Sequence, residues 1–511
     1  MGNWNVDYWP WGGVKICLDE QETKNVFSSA DAATTITSAL GAIPPPVSIA
    51  AAVVGLYIGL EKSAAEAADQ GGGVCFELPW VAIYPAENPL LVIPSSNGSP
   101  SPPFQGNKQQ HVNYAGSDGK VHELWFSDTG GWSHNILSDI AHGGADSQTS
   151  LPASGSAVDG FATWWNKQQH VNYIGKDGKV HELWFSDNGG WSHNVLSDAA
   201  PGANGQTSLP VAGSPLDGYT TLWNNQQHVN YIGNDGKVHE LWFSDNGGWS
   251  HNVLSDAAPG ANGQISLPVS GSPLDGFETP WNKQQHVNYI GKDGKVHELW
   301  FSDNGGWSHN VLSDAAHGAN GETSLPVAGS PLDGFFTPWN SQQHVNYIGK
   351  DGKVHELWFS DNGGWSHNVL SDAAPGANGQ TSLPVAGSPL DGYVTPWNNQ
   401  QHVNYVGRDG KVHELWFSDN GGWSHNILSD AAPGANGQTS VPLAGSPLDG
   451  FFTPWNNQQH VNYIGRDGKV HELWFSDNGG WSHNVLSDAA PGADSTGDLP
   501  APMGYIDGYI T

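Results

Sequence analysis

Short runs of alternating apolar and polar residues, separated by glycine-containing turns, recur along most of the chain. One stretch shows the pattern in full: 159–165 (DGFATWW), 168–174 (QQHVNYI), 179–186 (KVHELWFS) and 190–197 (GWSHNVLS). Each run has the length and the β-branched and aromatic content of a strand. Asp177-Gly178 and Asn188-Gly189 separate runs, and such dipeptides supply the positive φ of tight hairpins. Tight connections make neighbouring strands antiparallel, so the stretch predicts a four-stranded meander. A longer Gly/Pro/Ala/Ser segment, about 199–217, then leads into the next copy.

The copies are regular. His-Val-Asn-Tyr begins at 111, 170, 228, 286, 344, 402 and 460, a spacing of 59 once and 58 thereafter. Trp-Ser-His-Asn begins at 132, 191, 249, 307, 365, 423 and 481, and Asp-Gly-(Phe/Tyr) at 159, 217, 275, 333, 391, 449 and 507. Repeated four-stranded sheets form either a closed propeller or a linear solenoid, and a solenoid wants atypical polar caps. The ends of the array decide for the propeller. Ser95 to Gly106 contains no Asp-Gly-aromatic strand, whereas the chain finishes on Tyr505-Ile506-Asp507-Gly508-Tyr509-Ile510-Thr511. The first unit thus lacks its opening strand and the C-terminus supplies a spare one, as a closed ring needs. The prediction is an all-β, seven-bladed β-propeller of four-stranded antiparallel blades over 106–511, closed by the C-terminal strand. By analogy with other propellers, Asp-Gly-(Phe/Tyr) would be the innermost strand and Trp-Ser-His-Asn the outermost.

The unit His-Val-Asn-Tyr-Ile-Gly-x-Asp-Gly-Lys-Val-His-Glu-Leu-Trp, followed by Gly-Trp-Ser-His-Asn-x-Leu-Ser, resembles the repeat of the Photorhabdus luminescens lectin-like proteins. The resemblance covers about 106–511 and leaves residues 1–105 unmatched. It implies a seven-bladed propeller binding fucose and related, sometimes O-methylated, glycans. The outer strand reads Trp-Ser-His-Asn here, where that family is associated with a His-His pair.

Composition narrows the partners. With 50 acidic against 18 basic residues the net charge is −32, which leaves no electrostatic footprint for nucleic acid or an anionic membrane. Two Cys provide neither a disulfide framework nor a four-thiolate zinc site. The segment before the array differs in composition. Strands are expected around Cys17 and Cys75, with helices at about 27–41 and 47–69 between them. This predicts a small α+β domain (1–94) and a Pro/Ser/Asn-rich linker (95–105), with Cys17 and Cys75 either disulfide-bonded or buried thiols. Its apolar stretch, Val47 to Leu60, falls short of the roughly 20 residues that span a bilayer. It could drive homo-oligomerisation. Met1 to Val6 lacks the features of a secretory peptide, so cytoplasmic synthesis with release by lysis or a specialised route is expected.

Three residues per blade are candidates for ligand binding. The turn tryptophans Trp132, Trp191, Trp249, Trp307, Trp365, Trp423 and Trp481 can fill the wedge between blades or offer a flat face to a pyranose. The histidines two positions later, His134, His193, His251, His309, His367, His425 and His483, share that strand face by alternation. Glu123, Glu182, Glu240, Glu298, Glu356, Glu414 and Glu472 can anchor the blades internally or accept from vicinal sugar hydroxyls. The two other histidines of each unit, such as His228 and His239, read as structural. Catalysis is a poor fit. Ser250, His251 and Asp256 lie along one extended segment and cannot converge as a triad, and seven similar environments do not make the unequal carboxylate pair of a glycosidase. No copy has the close His spacing of a metal motif, so neither metal nor cofactor is expected. Seven weak equivalent sites suit avidity on glycosylated surfaces. The expectation is a non-enzymatic lectin. The alternatives are an assembly protein with a protein-docking ring, and a toxin or effector targeted by a lectin ring.

Overall fold

The computed structural model describes residues 107–501 and 504–511 in full, and the backbone of four strands ahead of them. The chain divides into two compact units, Met1–Gln105 and Gly106–Thr511. In the first, Asn5–Trp9, Gly13–Leu18, Val74–Pro79 and Leu91–Pro94 pair in that order as an antiparallel sheet, two strands more than expected. Cys17 and Cys75 are register partners in it. The segments expected to be helical at 27–41 and 47–69, and the 95–105 linker, lie outside the described residues. Among the described residues no helix is long and apolar enough to cross a membrane.

The second unit is a seven-bladed propeller. Each blade is a four-stranded antiparallel meander; in the third they are Leu216–Thr221, Gln226–Ile232, Val238–Ser244 and Gly248–Val253, paired in chain order. First strands of successive blades contact one another and so surround the axis, which leaves Trp-Ser-His-Asn outermost. The C-terminal strand Ile506–Ile510 pairs with Gln109–Ala115, setting Ile506 opposite Tyr114 and Tyr509 opposite His111. This completes the first blade and closes the ring.

Apolar packing lies in the wedges between blades. One wedge joins Ile174, Val180, Leu196, Ala200 and Ala203 of the second blade to Leu216, Val229, Tyr231 and Leu241 of the third. Two local expectations shift. The positive φ of the outer hairpin falls on Gly190 (68°), one residue after the expected glycine. The outer strand ends at Val195, and Leu196–Ala199 form a single helical turn that buries Leu196.

The Asp-Gly-aromatic strand interlocks neighbouring blades. A Cβ on Gly276 would lie 2.6 Å from both Asp217 Oδ2 and the Tyr219 ring of the preceding blade, so only glycine permits the approach. At the closure, Gly160 N–H donates to Asp507 Oδ2 at 2.6 Å. The seven aspartates consequently carry raised pKa values. Burial lifts Asp159, Asp333 and Asp449 to about 7. Burial, then the charges of neighbouring aspartates, holds Asp217, Asp275, Asp391 and Asp507 well above the usual carboxylate range.

Candidate functional site

The candidate groove of the third blade lies where its outer strand meets the loop leaving the second blade. Gly248 takes φ of 68° and turns the chain into the outer strand, which pairs Trp249 with Phe243 across the register. The two rings meet at 5.5 Å, tilted by 52°. Trp249 is only partly buried and packs against the wedge shared by the second and third blades. His251 follows on the same face, partly buried, beside Gly202 of the loop leaving the second blade. Trp249 and His251 are alternate residues of one strand and so share a face.

Behind His251 runs a ladder that crosses three strands. Tyr231 stacks on His239 at 5.3 Å, and the His239 and His251 rings lie nearly coplanar, edge to edge, with centroids 5.2 Å apart. A polar relay follows the same path. Asp235 Oδ1 lies 3.0 Å from His239 Nε2, and His239 Nδ1 lies 2.9 Å from His251 Nε2. A carboxylate only accepts, so it fixes the proton of a neutral His239 on Nε2 and leaves Nδ1 to accept from His251. His251 Nδ1 is then a bare acceptor facing the groove. Burial, followed by the proximity of His239, pushes the His251 pKa down to about 4. The same causes bring His309, His367, His425 and His483 to about 4 and lower His134. Burial also lowers His239, against the upward pull of Asp235. The relay residues were not among the sequence candidates, although Asp235 and His239 recur at fixed spacing in every Asp-Gly-Lys-Val-His segment.

The glutamates do not reach the groove. Glu240 is 2% exposed; its Oε1 lies 2.9 Å from His228 Nδ1, and its Oε2 accepts from Asn252 Nδ2 at 2.8 Å. His228 is buried in turn and reaches Thr221 Oγ1 at 3.0 Å through Nε2. Glu123, Glu182, Glu298, Glu356, Glu414 and Glu472 are buried with the same two partners. Both carboxylate oxygens are engaged, so the sugar-accepting role considered for these residues is corrected to an internal anchor joining three strands.

The second blade breaks the equivalence. The loop entering it carries one extra residue, His142-Gly143-Gly144, where the next loop has Pro201-Gly202. His142 pairs with the outer strand: its N–H donates to the Trp191 carbonyl at 3.1 Å, and His193 N–H donates to the His142 carbonyl at 2.8 Å. The Gly143 carbonyl then lies 3.0 Å from His193 Nδ1. Trp191 is 8% exposed and joins the core, whereas Trp132, Trp249, Trp307, Trp365, Trp423 and Trp481 stay partly accessible. One of the seven grooves is therefore filled by the protein's own chain.

No family model matches the chain, and no curated protein matches it. Among solved structures the chain is similar to the BP39L lectin from Burkholderia pseudomallei, at 18% identity over 73% of this chain and 94% of that one, with a TM-score of 0.46. It is also similar to Aleuria aurantia lectin, described as a six-bladed propeller, at 16% identity over 68% and 98%, with a TM-score of 0.43. A prolyl endopeptidase is similar at 9% identity over 75% and 49%, with a TM-score of 0.39.

Proposed function

We propose that the ring is a multivalent, non-enzymatic carbohydrate-binding protein whose ligands sit in the inter-blade grooves. The observation that carries this reading is the repeated pairing of an accessible tryptophan with a histidine whose Nδ1 is kept neutral and proton-free. An indole face takes up the C–H face of a pyranose, and the imidazole nitrogen accepts one hydroxyl proton. Such a groove suits a neutral sugar on a chain of net charge −32. A 6-deoxy or O-methylated sugar adds a methyl group to the apolar contact. Fucose and O-methylated sugars, the ligands implied by the resemblance of the repeat, are accordingly the first to test. Complexes of Aleuria aurantia lectin with fucosides are known for that protein.

A glycan array that includes fucosylated and O-methylated glycans, followed by calorimetry on the best ligand, tests the reading. Binding of several equivalents to the wild type is expected. Replacing the six accessible tryptophans together with alanine should abolish it while far-ultraviolet dichroism is retained. No binding to any sugar would overturn the lectin reading, and unchanged affinity in the tryptophan variant would remove the grooves from it.

A further inference from the structure

The loop that leaves the seventh blade departs from the other six at several positions, and one of these places a carboxylate where the others have a hydroxyl. Six inter-blade loops carry serine there (Ser150, Ser208, Ser266, Ser324, Ser382 and Ser440), and the seventh carries Asp498. Ring closure seats this loop on the first blade. The N–H groups of Ser117 and Asp118 donate to the carbonyls of Leu499 and Gly497, at 2.8 and 3.0 Å. Asp498 Oδ1 consequently lies 4.0 Å from His122 Nδ1, which is itself 3.0 Å from His134 Nε2. One ligand atom from each of the three residues lies within 4.8 Å of the others, the one such group found among the described residues.

We propose that His122, His134 and Asp498 bind a single divalent transition-metal ion of the zinc type at the seam of the ring. Two imidazole nitrogens and one carboxylate oxygen are the donors such an ion prefers, whereas calcium and magnesium want six or more oxygens. Ligands at about 2.0–2.2 Å in a tetrahedral arrangement stand roughly 3.3–3.5 Å from one another. The histidine pair, joined head to head, therefore opens by a few tenths of an ångström with both rings turning so that their lone pairs converge on the ion, and the carboxylate moves in from 4.0 Å. The outer shell is already in place. His122 is fully buried, and its Nε2 lies 3.0 Å from Asp118 Oδ1, which keeps the proton on Nε2 and turns the lone pair of Nδ1 toward the site. A carboxylate behind a ligating histidine is the usual support for a zinc site. Ser495 Oγ donates to the second oxygen of Asp498 and holds the carboxylate in the loop. When the ion enters, the proton between the two imidazoles is released from His134 Nε2 and solvent returns one to His134 Nδ1, so both rings ligate as neutral imidazoles. Three protein ligands leave a fourth position for water or a ligand hydroxyl.

Serine at the matching position gives the other six blades no such third ligand. The site would bridge the two ends of the propeller, so its occupancy would add a cross-link to a closure otherwise made by one strand and one loop. This proposal does not depend on carbohydrate binding.

The test uses the full-length protein, stripped with a chelator, and its Asp498→Ser variant, which carries the residue the other loops have. Zinc titrated by calorimetry should show one more tight equivalent in the wild type than in the variant. Cobalt(II) should give the visible bands of a four-coordinate ion in the wild type alone, and zinc should raise the unfolding temperature of the wild type alone. Asp118→Asn, which keeps the ligands but weakens their support, should bind zinc about 10–100-fold less tightly. Equal unfolding temperatures of the chelated proteins separate loss of the ligand from loss of the fold. Identical zinc uptake and identical cobalt spectra in wild type and Asp498→Ser would overturn the proposal, as would the absence of any tight equivalent in the wild type.

Discussion

A histidine accepts a hydroxyl proton only while it is neutral, and for His251 the surroundings extend that range far below the usual pH. Its pKa of about 4 follows from burial and from the adjacent His239. Sugar affinity should stay level from about pH 8 to about pH 5 and fall roughly tenfold per unit once pH drops below about 4. Calorimetry across that range, with dichroism to confirm folding, checks this; a midpoint near 6.5 would mean that the groove histidine is not the acceptor. Glu240 supports the opposite kind of prediction. Glu240→Ala leaves the buried His228 without its acceptor, at a cost of about 1–3 kcal/mol, and removes the acceptor of the partly buried Asn252. Urea unfolding should show that loss, while the affinity per groove stays within about twofold of the wild type. The two residues also show how far the site could be read from residue order. Alternation alone puts Trp249 and His251 on one face. Whether Glu240 points into a groove or into a blade depends on register with His228 and Asn252, twelve residues away on either side, and no local pattern encodes that.

At the level of single elements, one inserted residue changes what a groove can do. The loop after the first blade can pair with Trp191 because His142 has an N–H where Pro201 has none, and because Gly143 and Gly144 take φ of 106° and 85°. His317 also replaces that proline, but its loop has the common length, and no bridge to the next outer strand forms there among the described residues. Length, then, is the decisive difference. The wild type should bind six equivalents of sugar, and replacing His142-Gly143-Gly144 with Pro-Gly should add a seventh and expose Trp191 to a fluorescence quencher. Equal stoichiometry in the two proteins would show that the Gly143 carbonyl does not block the groove. The 59-residue spacing is visible in the chain, but its effect is not, since the loop's partner belongs to the next blade. The single helical turn Leu196–Ala199 escapes for another reason. Four residues carry no helical period, and Val195 ahead of them makes no side-chain cap.

Across the whole molecule, the unpaired C-terminal Asp-Gly-aromatic strand made the closed ring readable, because a strand without a blade and a blade without a strand have one economical solution. The clasp that this strand forms was not readable, because Asp217 meets Gly276 only when two blades stand side by side around the axis. The clasp has a consequence for stability. Burial raises Asp159, Asp333 and Asp449 from an unfolded value of 3.8 to about 7, and burial with the neighbouring charges holds the other four well above the usual range, so the native ring holds protons that the unfolded chain releases. A carboxyl raised in this way contributes stability that is complete below about pH 4 and is lost as pH rises through about 7. The groove histidines act in the other direction, since their lowered values remove stability as pH falls from about 6.5 toward 4. The two sets oppose each other between about pH 4 and 7, which makes the wild-type profile alone uninformative. Asp217→Asn separates them, because the amide keeps an oxygen for Gly276 N–H and carries no charge at any pH. Its unfolding temperature relative to the wild type should rise steadily from about pH 5 to about pH 8, the interval in which the wild-type carboxyls are forced to ionise next to one another. A difference that stays constant across that interval would show that the ring of aspartates does not titrate as a coupled set.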